Sequence, residues 1–138
     1  MGGNLSTLVP LLGTWADALG QEDYILFVEE VGASTHNLDR LINTLILRGA
    51  LDRCKGVILG QFTDCKDDLG CGGAEELLSS YFGSLGIPVA CAFPAGHDTP
   101  NLPLIMGARV SLDVTASTST LTFFIDAPRR TIYTSELE

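Results

Sequence analysis

Two residues of this sequence, Glu29 and His97, stand where acid–base chemistry could be carried out. Glu29 directly follows the apolar run from Tyr24 to Val28, which has the composition of a buried strand, and His97 lies in a loop just after another predicted strand. Sites in α/β proteins are built where parallel strands end, so we expect both side chains at one edge of a sheet. A carboxylate that orients a histidine, and a histidine that accepts a proton, form two thirds of a serine-hydrolase triad.

Both residues also have a plain structural interpretation. A strand that ends in acidic residues often simply reaches solvent, and Glu29 is followed by a second acid, Glu30. A lone histidine in a loop is usually a surface residue. The other histidine, His36, precedes a long predicted helix, and we interpret it as a solvated or capping-region residue.

The third member of such a triad is not found in the sequence. It contains no G-x-S-x-G nucleophile elbow. Ser6 stands at a predicted helix start, and no cysteine has an elbow context. The other serines considered lie in or near a predicted surface helix: Ser79, Ser80 and Ser84. From the residues alone, the chain offers a general base and an orienting acid with no group to activate.

Helical and strand periodicities alternate along the chain. An apolar stripe at helical spacing predicts a helix between a cap at 34–37 and Gly49, and a second stripe predicts a helix that ends at Gly86. Continuous or alternating apolar runs predict strands at 24–28, 56–62, 87–93, 109–114 and 121–125. The resulting order indicates an α/β fold with a mixed sheet flanked by helices.

The composition is typical of one folded domain. The 138 residues are 46% apolar and 18% charged, which excludes a disordered chain. The net charge of −9, with scattered basic residues, argues against nucleic acid as a partner. No apolar run approaches the ~20 residues of a membrane span, and the N-terminus has neither the basic nor the long apolar region of a signal peptide. We therefore expect neither a nucleic-acid nor a membrane partner.

The four cysteines are Cys54, Cys65, Cys71 and Cys91, and none of them forms a CxxC pair. We interpret them as reduced thiols of a cytoplasmic protein. A disulfide or metal site at Cys65 and Cys71 stays open, although two ligands do not make a zinc site. We expect neither a metal nor an organic cofactor.

Four blocks of the sequence, in order and with matching spacing, resemble the C-terminal half of the LD-carboxypeptidases, the murein tetrapeptide carboxypeptidase family of serine peptidases. They cover nearly the whole chain, and only residues 126–138 match nothing in the family pattern. The blocks are Gly2–Ser6 with Leu12–Thr14, Leu26–Glu30 with Leu38–Arg40, Gly56–Cys65, and Ile87–Val89 with Gly96–His97 and Leu102–Gly107.

The resemblance implies a single swivelling β/β/α-type domain over residues 1–138, whose Glu29 and His97 are catalytic. It implies that the nucleophilic serine lies on a separate N-terminal domain, so that the isolated chain is inactive. Together the two domains are expected to release a terminal D-amino acid, typically D-alanine, from murein tetrapeptides. The implied partners are that missing domain and the murein peptide, and a homodimer through the open face is a further expectation. Glu30 stands where the family usually has an aspartate.

Two other functions stay open at this point. Microcin-immunity peptidases share the architecture but cleave a peptidyl-nucleotide, whose base stacks on an aromatic ring. Trp15 and Phe93 are the candidates for such a ring in this sequence. The second alternative is a non-catalytic binding or assembly domain. The missing nucleophile favours it, whereas the presence of both Glu29 and His97 speaks against it.

Overall fold

The apolar runs of the sequence form the strands of two sheets. The computed structural model describes residues 1–125 and the backbone of residues 130–136. Its strands are β1 Gly2–Asn4, β2 Tyr24–Val31, β3 Cys54–Thr63, β4 Val89–Ala90, β5 Arg109–Val114, β6 Thr118–Phe124 and β7 Arg130–Glu136. Its helices are α1 Leu5–Leu8, followed by a 3-10 segment Val9–Leu11, α2 Thr35–Leu47 and α3 Ala74–Gly83. One sheet is parallel with strand order β1-β2-β3-β4, and the other is antiparallel with order β5-β6-β7.

Strand β2 is buried on both faces, because successive side chains of a strand point to opposite sides of its sheet. Leu26 and Val28 join a core cluster with Ile42 of α2, together with residues of the other two helices. Phe27 joins a second cluster with Phe123 of β6. The helices therefore cover one face of the parallel sheet, and the antiparallel sheet covers the other.

These three layers confirm the predicted α/β fold of β/β/α type, with one difference in the sheets. The sequence predicts one mixed sheet, whereas the antiparallel strands form a sheet of their own. The reason is that the helices cover only one face of β2 and β3, while Phe27 and Ile58 on the other face are also apolar. A second stacked sheet removes that face from water, which strands added at the edge would not do.

Two strands of the structure lie outside the predicted elements. Strand β1 lacks the side chains typical of strands and pairs with β2 through its backbone. Gly2 has a φ of +135°, and a Cβ at this position would lie 1.8 Å from the Phe27 carbonyl oxygen, so only glycine fits. Strand β7 falls in the tail that matches no family block. The strand predicted over 87–93 is reduced to Val89–Ala90.

The helix boundaries follow the local signals of the sequence. The Asn4 side chain accepts a hydrogen bond from the Thr7 amide at 3.1 Å and caps α1. The Ser34 hydroxyl accepts from the Asn37 amide at 3.3 Å and caps α2. Gly49, with a φ of +67°, follows the end of α2 and confirms the predicted glycine stop.

The four cysteines are free thiols in the structure, so the alternative Cys65–Cys71 disulfide is absent. Burial raises the pKa of both Cys54 and Cys65. Within the described part of the chain, no helix is long and apolar enough to cross a bilayer. The same residues include no group of three or more histidine, cysteine, aspartate or glutamate side chains that could hold a metal ion.

The helix layer provides a test of this packing. Ile42 of α2 is fully buried against the parallel sheet, whereas Leu47 at the end of the same helix is 85% exposed. We expect Ile42→Ala to lower the free energy of unfolding by about 2–5 kcal/mol, because it leaves a cavity in the core. The matched control Leu47→Ala should change it by less than about 0.5 kcal/mol. Urea unfolding followed by circular dichroism measures both, and equal effects would contradict the assigned faces of α2.

Candidate active site

Glu29 lies near the carboxyl end of β2, opposite Asn4 of β1. It shares a face of the sheet with Phe27 and Gly60, since a Cβ placed on Gly60 would lie 2.7 Å from Phe27 Cε2 and 3.1 Å from Glu29 Cβ. This is the face covered by the antiparallel sheet. The Glu29 side chain is only 7% exposed, and a carboxylate buried to this degree needs a polar partner.

That partner is His97. The Nδ1 atom of His97 lies 2.6 Å from Oε2 of Glu29, which is the distance of a short charge-assisted hydrogen bond. The structure thus brings together the two residues that the sequence analysis selects, although they are 68 positions apart. Their catalytic roles stay a prediction at this point.

The geometry fixes what the imidazole can do. When His97 is neutral, a proton on Nδ1 is donated to Glu29, and Nε2 is left as a hydrogen-bond acceptor. The side chain of His97 is 48% exposed, and no group of residues 1–125 hydrogen-bonds to Nε2. The pair is therefore an imidazole held through Nδ1, whose Nε2 makes no hydrogen bond within residues 1–125 and could accept a proton.

The loop that carries His97 approaches the sheet closely because two glycines make room for it. A Cβ on Gly60 would lie 2.4 Å from the carbonyl oxygen of Ala95. Gly96 has a φ of +153°, and a Cβ there would lie 2.9 Å from the Cβ of Gln61. The loop is also hydrogen-bonded by the side chains of Gln61 and Asn101, which the sequence analysis does not single out. In the sequence, each of them is only a polar residue near glycine or proline, so no local pattern identifies either as part of the site.

Glu30 has a different function from its neighbour. It is 2% exposed, and its carboxylate accepts hydrogen bonds from Asn4 Nδ2 at 2.7 Å, from the Ser6 amide at 2.8 Å and from the Val31 amide at 3.0 Å. Burial alone would raise the pKa of Glu30, but hydrogen bonds from Ser6, Val31 and Asn4 outweigh it and hold the pKa below the ordinary glutamate value. Glu30 therefore ties the start of α1 to β2 and is a structural residue.

The serines considered from the sequence have other partners. The hydroxyls of Ser80 and Ser84 donate to carbonyl oxygens of α3, and Ser79 lies beside Cys91. The Ser6 amide donates to Glu30. No serine, threonine or cysteine of residues 1–125 hydrogen-bonds to His97. His36 is exposed, and its amide donates to Asp68 in a capping contact, which agrees with its predicted role.

Neither aromatic candidate for base stacking is placed at this site. Phe93 is buried in the cluster between the two sheets. Trp15 is 99% exposed, but its segment lies beside the carboxyl end of α2, where Arg48 Nη2 donates to the Leu12 carbonyl at 3.5 Å. Tyr24, at the start of β2, hydrogen-bonds to Ala50 just after the same helix end. Trp15 therefore lies at the edge where the strands begin, opposite to the edge that carries His97.

An open cavity of about 500 Å³ adjoins the His97 loop at the edge where the strands end. It is lined in part by Gln61, Thr63, Asp98 and Pro100. The buried Thr63 hydroxyl has no hydrogen-bond partner among the described residues.

Comparison with known proteins identifies relatives of this chain. Residues 1–112 match the family model described as the LD-carboxypeptidase C-terminal domain. A Synechocystis protein that is named as a carboxypeptidase is 35% identical over 119 residues, which are 84% of this chain and 39% of that protein. The microcin C7 self-immunity protein MccF of Escherichia coli is 30% identical over 118 residues, which are 82% of this chain and 33% of that protein.

Comparison of the fold with solved structures also identifies a relative of this chain. The crystal structure of muramoyltetrapeptide carboxypeptidase from Oxalobacter formigenes superposes with a TM-score of 0.75 at 30% identity, over 88% of this chain and 43% of that one. The chain thus spans less than half the length of each of these relatives.

The contacts of Glu30 predict a pH-dependent contribution to stability. All three of its partners are donors, so Glu30→Gln places an amide N–H against another donor and should lower the free energy of unfolding at pH 7 by about 1–3 kcal/mol. Because the pKa of Glu30 is lowered in the folded state, the wild-type advantage is full above the ordinary glutamate pKa and is lost as the pH falls through the folded value. Urea unfolding between pH 7 and pH 3 measures this, with exposed Glu22→Gln as control. A stability difference between wild type and Glu30→Gln that grows as the pH falls would contradict the role assigned to Glu30.

Proposed function

This chain belongs to the LD-carboxypeptidase C-terminal domain family, and on that premise we propose that it supplies the histidine and the glutamate of a Ser-His-Glu triad in a serine carboxypeptidase. The observation that supports this most directly is the 2.6 Å contact between His97 Nδ1 and Glu29 Oε2, in a histidine whose side chain is half-exposed. A buried carboxylate behind a half-exposed imidazole is the arrangement that a general base requires.

In this proposal the reaction proceeds by acyl transfer. Nε2 of His97 accepts the hydroxyl proton of the nucleophilic serine while the serine oxygen bonds to the scissile carbonyl carbon. The same proton passes to the leaving amine as the C–N bond breaks, which leaves an acyl-enzyme. Water then attacks the ester with Nε2 again as the base, and the shortened peptide is released. Glu29 holds the imidazole in the required tautomer and stabilises its protonated form.

We infer that the nucleophile comes from a further domain that packs on the edge carrying His97. The relatives are more than twice as long as this chain, which leaves room for such a domain. The exposed half of the His97 ring supports an approach from outside the described residues. Within residues 1–125 no hydroxyl or thiol hydrogen-bonds to His97, so we expect the chain to be inactive alone.

The substrate that we propose is a murein tetrapeptide, from which D-alanine is released. The support is the resemblance to a structure named as a muramoyltetrapeptide carboxypeptidase. A peptidyl-nucleotide is the alternative, since MccF is 30% identical to this chain. Trp15 lies at the opposite edge of the sheet and Phe93 is buried, so neither of these two candidates presents a ring for base stacking at the site.

The test is reconstitution with a separately expressed N-terminal domain supplied in excess. We expect no release of D-alanine from a murein tetrapeptide by this chain alone, and clear release when both domains are present. His97→Ala should abolish it, because the base is lost. Glu29→Gln should lower it by about 10²–10⁴-fold, since an amide can hold the wrong imidazole tautomer. His36→Ala is the matched control, because His36 is exposed and only its backbone amide, not its imidazole, hydrogen-bonds to Asp68.

Each competing function has a distinct outcome in this assay. Activity from the chain alone would refute the proposed division between domains. Reconstituted activity that survives His97→Ala would refute the assignment of the base. Cleavage of a peptidyl-nucleotide but not of the tetrapeptide would identify the microcin-type substrate. A folded complex of the two domains without activity on either substrate would favour a binding or assembly role.

We also propose a cytoplasmic location, supported by the four free thiols. Thiol titration of the unfolded protein under non-reducing conditions should find four reactive groups. A count of two would indicate a disulfide and would contradict a reducing compartment. Self-association of the isolated chain through the uncovered His97 edge stays a prediction, which sedimentation velocity would test.

A further inference from the structure

The position of His97 is determined by the backbone of its loop. Among the described residues, the only hydrogen bond of the His97 side chain is the one to Glu29. The loop from Pro94 to Leu102 is closed at its base by a 2.7 Å hydrogen bond from the Leu102 amide to the Pro94 carbonyl. It contains no helix or strand, so its conformation depends on contacts from elsewhere.

Gln61 of β3 holds this loop on both sides of His97. Its side-chain Oε1 accepts from the Asp98 amide at 2.9 Å, and its Nε2 donates to the Pro100 carbonyl at 2.8 Å. Its backbone amide donates to the Ala95 carbonyl at 3.0 Å. Because β3 is hydrogen-bonded along its length to β2, these contacts connect the loop to the strand that carries Glu29.

Asn101 holds the residue that precedes His97. Its Oδ1 accepts from the Gly96 amide at 3.2 Å, and its Nδ2 donates to the Gly96 carbonyl at 3.0 Å. Both polar backbone groups of Gly96 are therefore fixed by one side chain. The two side-chain amides therefore hold the backbone at 96, 98 and 100, and the backbone amide of Gln61 holds it at 95, so His97 is held from both sides.

We propose that Gln61 and Asn101 are positioning residues, whose side chains hold the His97 loop so that Nδ1 meets Glu29 and Nε2 faces the reaction. The side chain of each residue donates one hydrogen bond from its amide nitrogen and accepts another at its amide oxygen. Only an amide side chain provides both groups in this geometry. A carboxylate of the same length keeps the acceptor but loses the donor, and a methionine loses both. The part of this inference that concerns catalysis rests on the proposed function, whereas the part that concerns the imidazole does not.

The first measurement needs no activity. The ¹⁵N chemical shifts of the two imidazole rings report the tautomer of His97, and His36 serves as an internal reference in the same spectrum. For the neutral imidazole of the wild-type chain we expect the Nδ1–H form of His97, because Glu29 accepts that proton. Gln61→Met should shift His97 toward the Nε2–H form preferred by free histidine, with His36 unchanged. Gln21→Met is the matched control, since Gln21 is exposed and its side chain hydrogen-bonds to the Asp17 carbonyl, in the segment that follows Trp15.

The second measurement separates positioning from binding in the reconstituted enzyme. Gln61→Met should lower kcat by about 10–100-fold with KM nearly unchanged, because a small displacement of a catalytic group is costly while substrate contacts remain. Asn101→Ala should act in the same direction. It also provides a second test if Gln61→Met fails to fold, and circular dichroism melting identifies that case.

The outcomes distinguish the inference from the proposed function. A His97 tautomer that is unchanged in both folded variants would overturn the positioning role, whatever the activity. A tautomer shift together with the fall in kcat supports it. If the wild-type pair of domains has no activity, the proposed function fails, and the tautomer measurement still decides whether Gln61 and Asn101 position His97. A rise in KM at constant kcat would assign Gln61 to substrate binding and would also overturn the inference.

Discussion

The burial of β2 on both of its faces is the constraint on which the rest of this structure depends. Its odd-numbered side chains, such as Phe27, pack toward the antiparallel sheet, and its even-numbered ones, such as Val28, pack toward the helices. A strand with two apolar faces needs a layer on each side, so the helices alone could not complete the fold. The antiparallel sheet is therefore a required second cover for the strand that ends at the candidate site.

The same alternation gives two adjacent acids opposite functions. Glu29 points to the side of the antiparallel sheet and meets His97, while Glu30 joins the helix side and binds the start of α1. Both carboxylates are buried, and each is compensated by hydrogen bonds rather than by a cation from lysine or arginine. One of them is saturated with three donors, whereas the other has a single titratable partner. That contrast is what makes Glu29 suited to chemistry and Glu30 suited to structure.

The candidate site is assembled from parts that lie far apart along the chain and are rigid to different degrees. Glu29 is fixed by a central strand, and His97 depends on a loop without regular structure that is fastened by Gln61 and Asn101. Two glycines, Gly60 and Gly96, allow the loop and the sheet to approach within contact distance. The site is open on one side, because half of the His97 ring is exposed. The proposed function makes this pair one part of a catalytic arrangement, and the relatives, which are more than twice as long as this chain, leave room for the other part.

The sequence by itself determined most of the elements and the choice of Glu29 and His97 as the candidate pair. Helical stripes, caps and apolar runs are local signals, so α2, β2 and β3 could be predicted, and the carboxyl ends of parallel strands place Glu29 and His97 at one edge. The tertiary structure alone decided what depends on contacts between distant segments. These are the pairing of Gly2–Asn4 as a strand, the separation of the antiparallel sheet, and the fastening of the loop by Gln61 and Asn101. These three features leave no periodic pattern in the sequence. Backbone pairing and hydrogen bonds from a side-chain amide to the backbone are compatible with almost any neighbouring residue type.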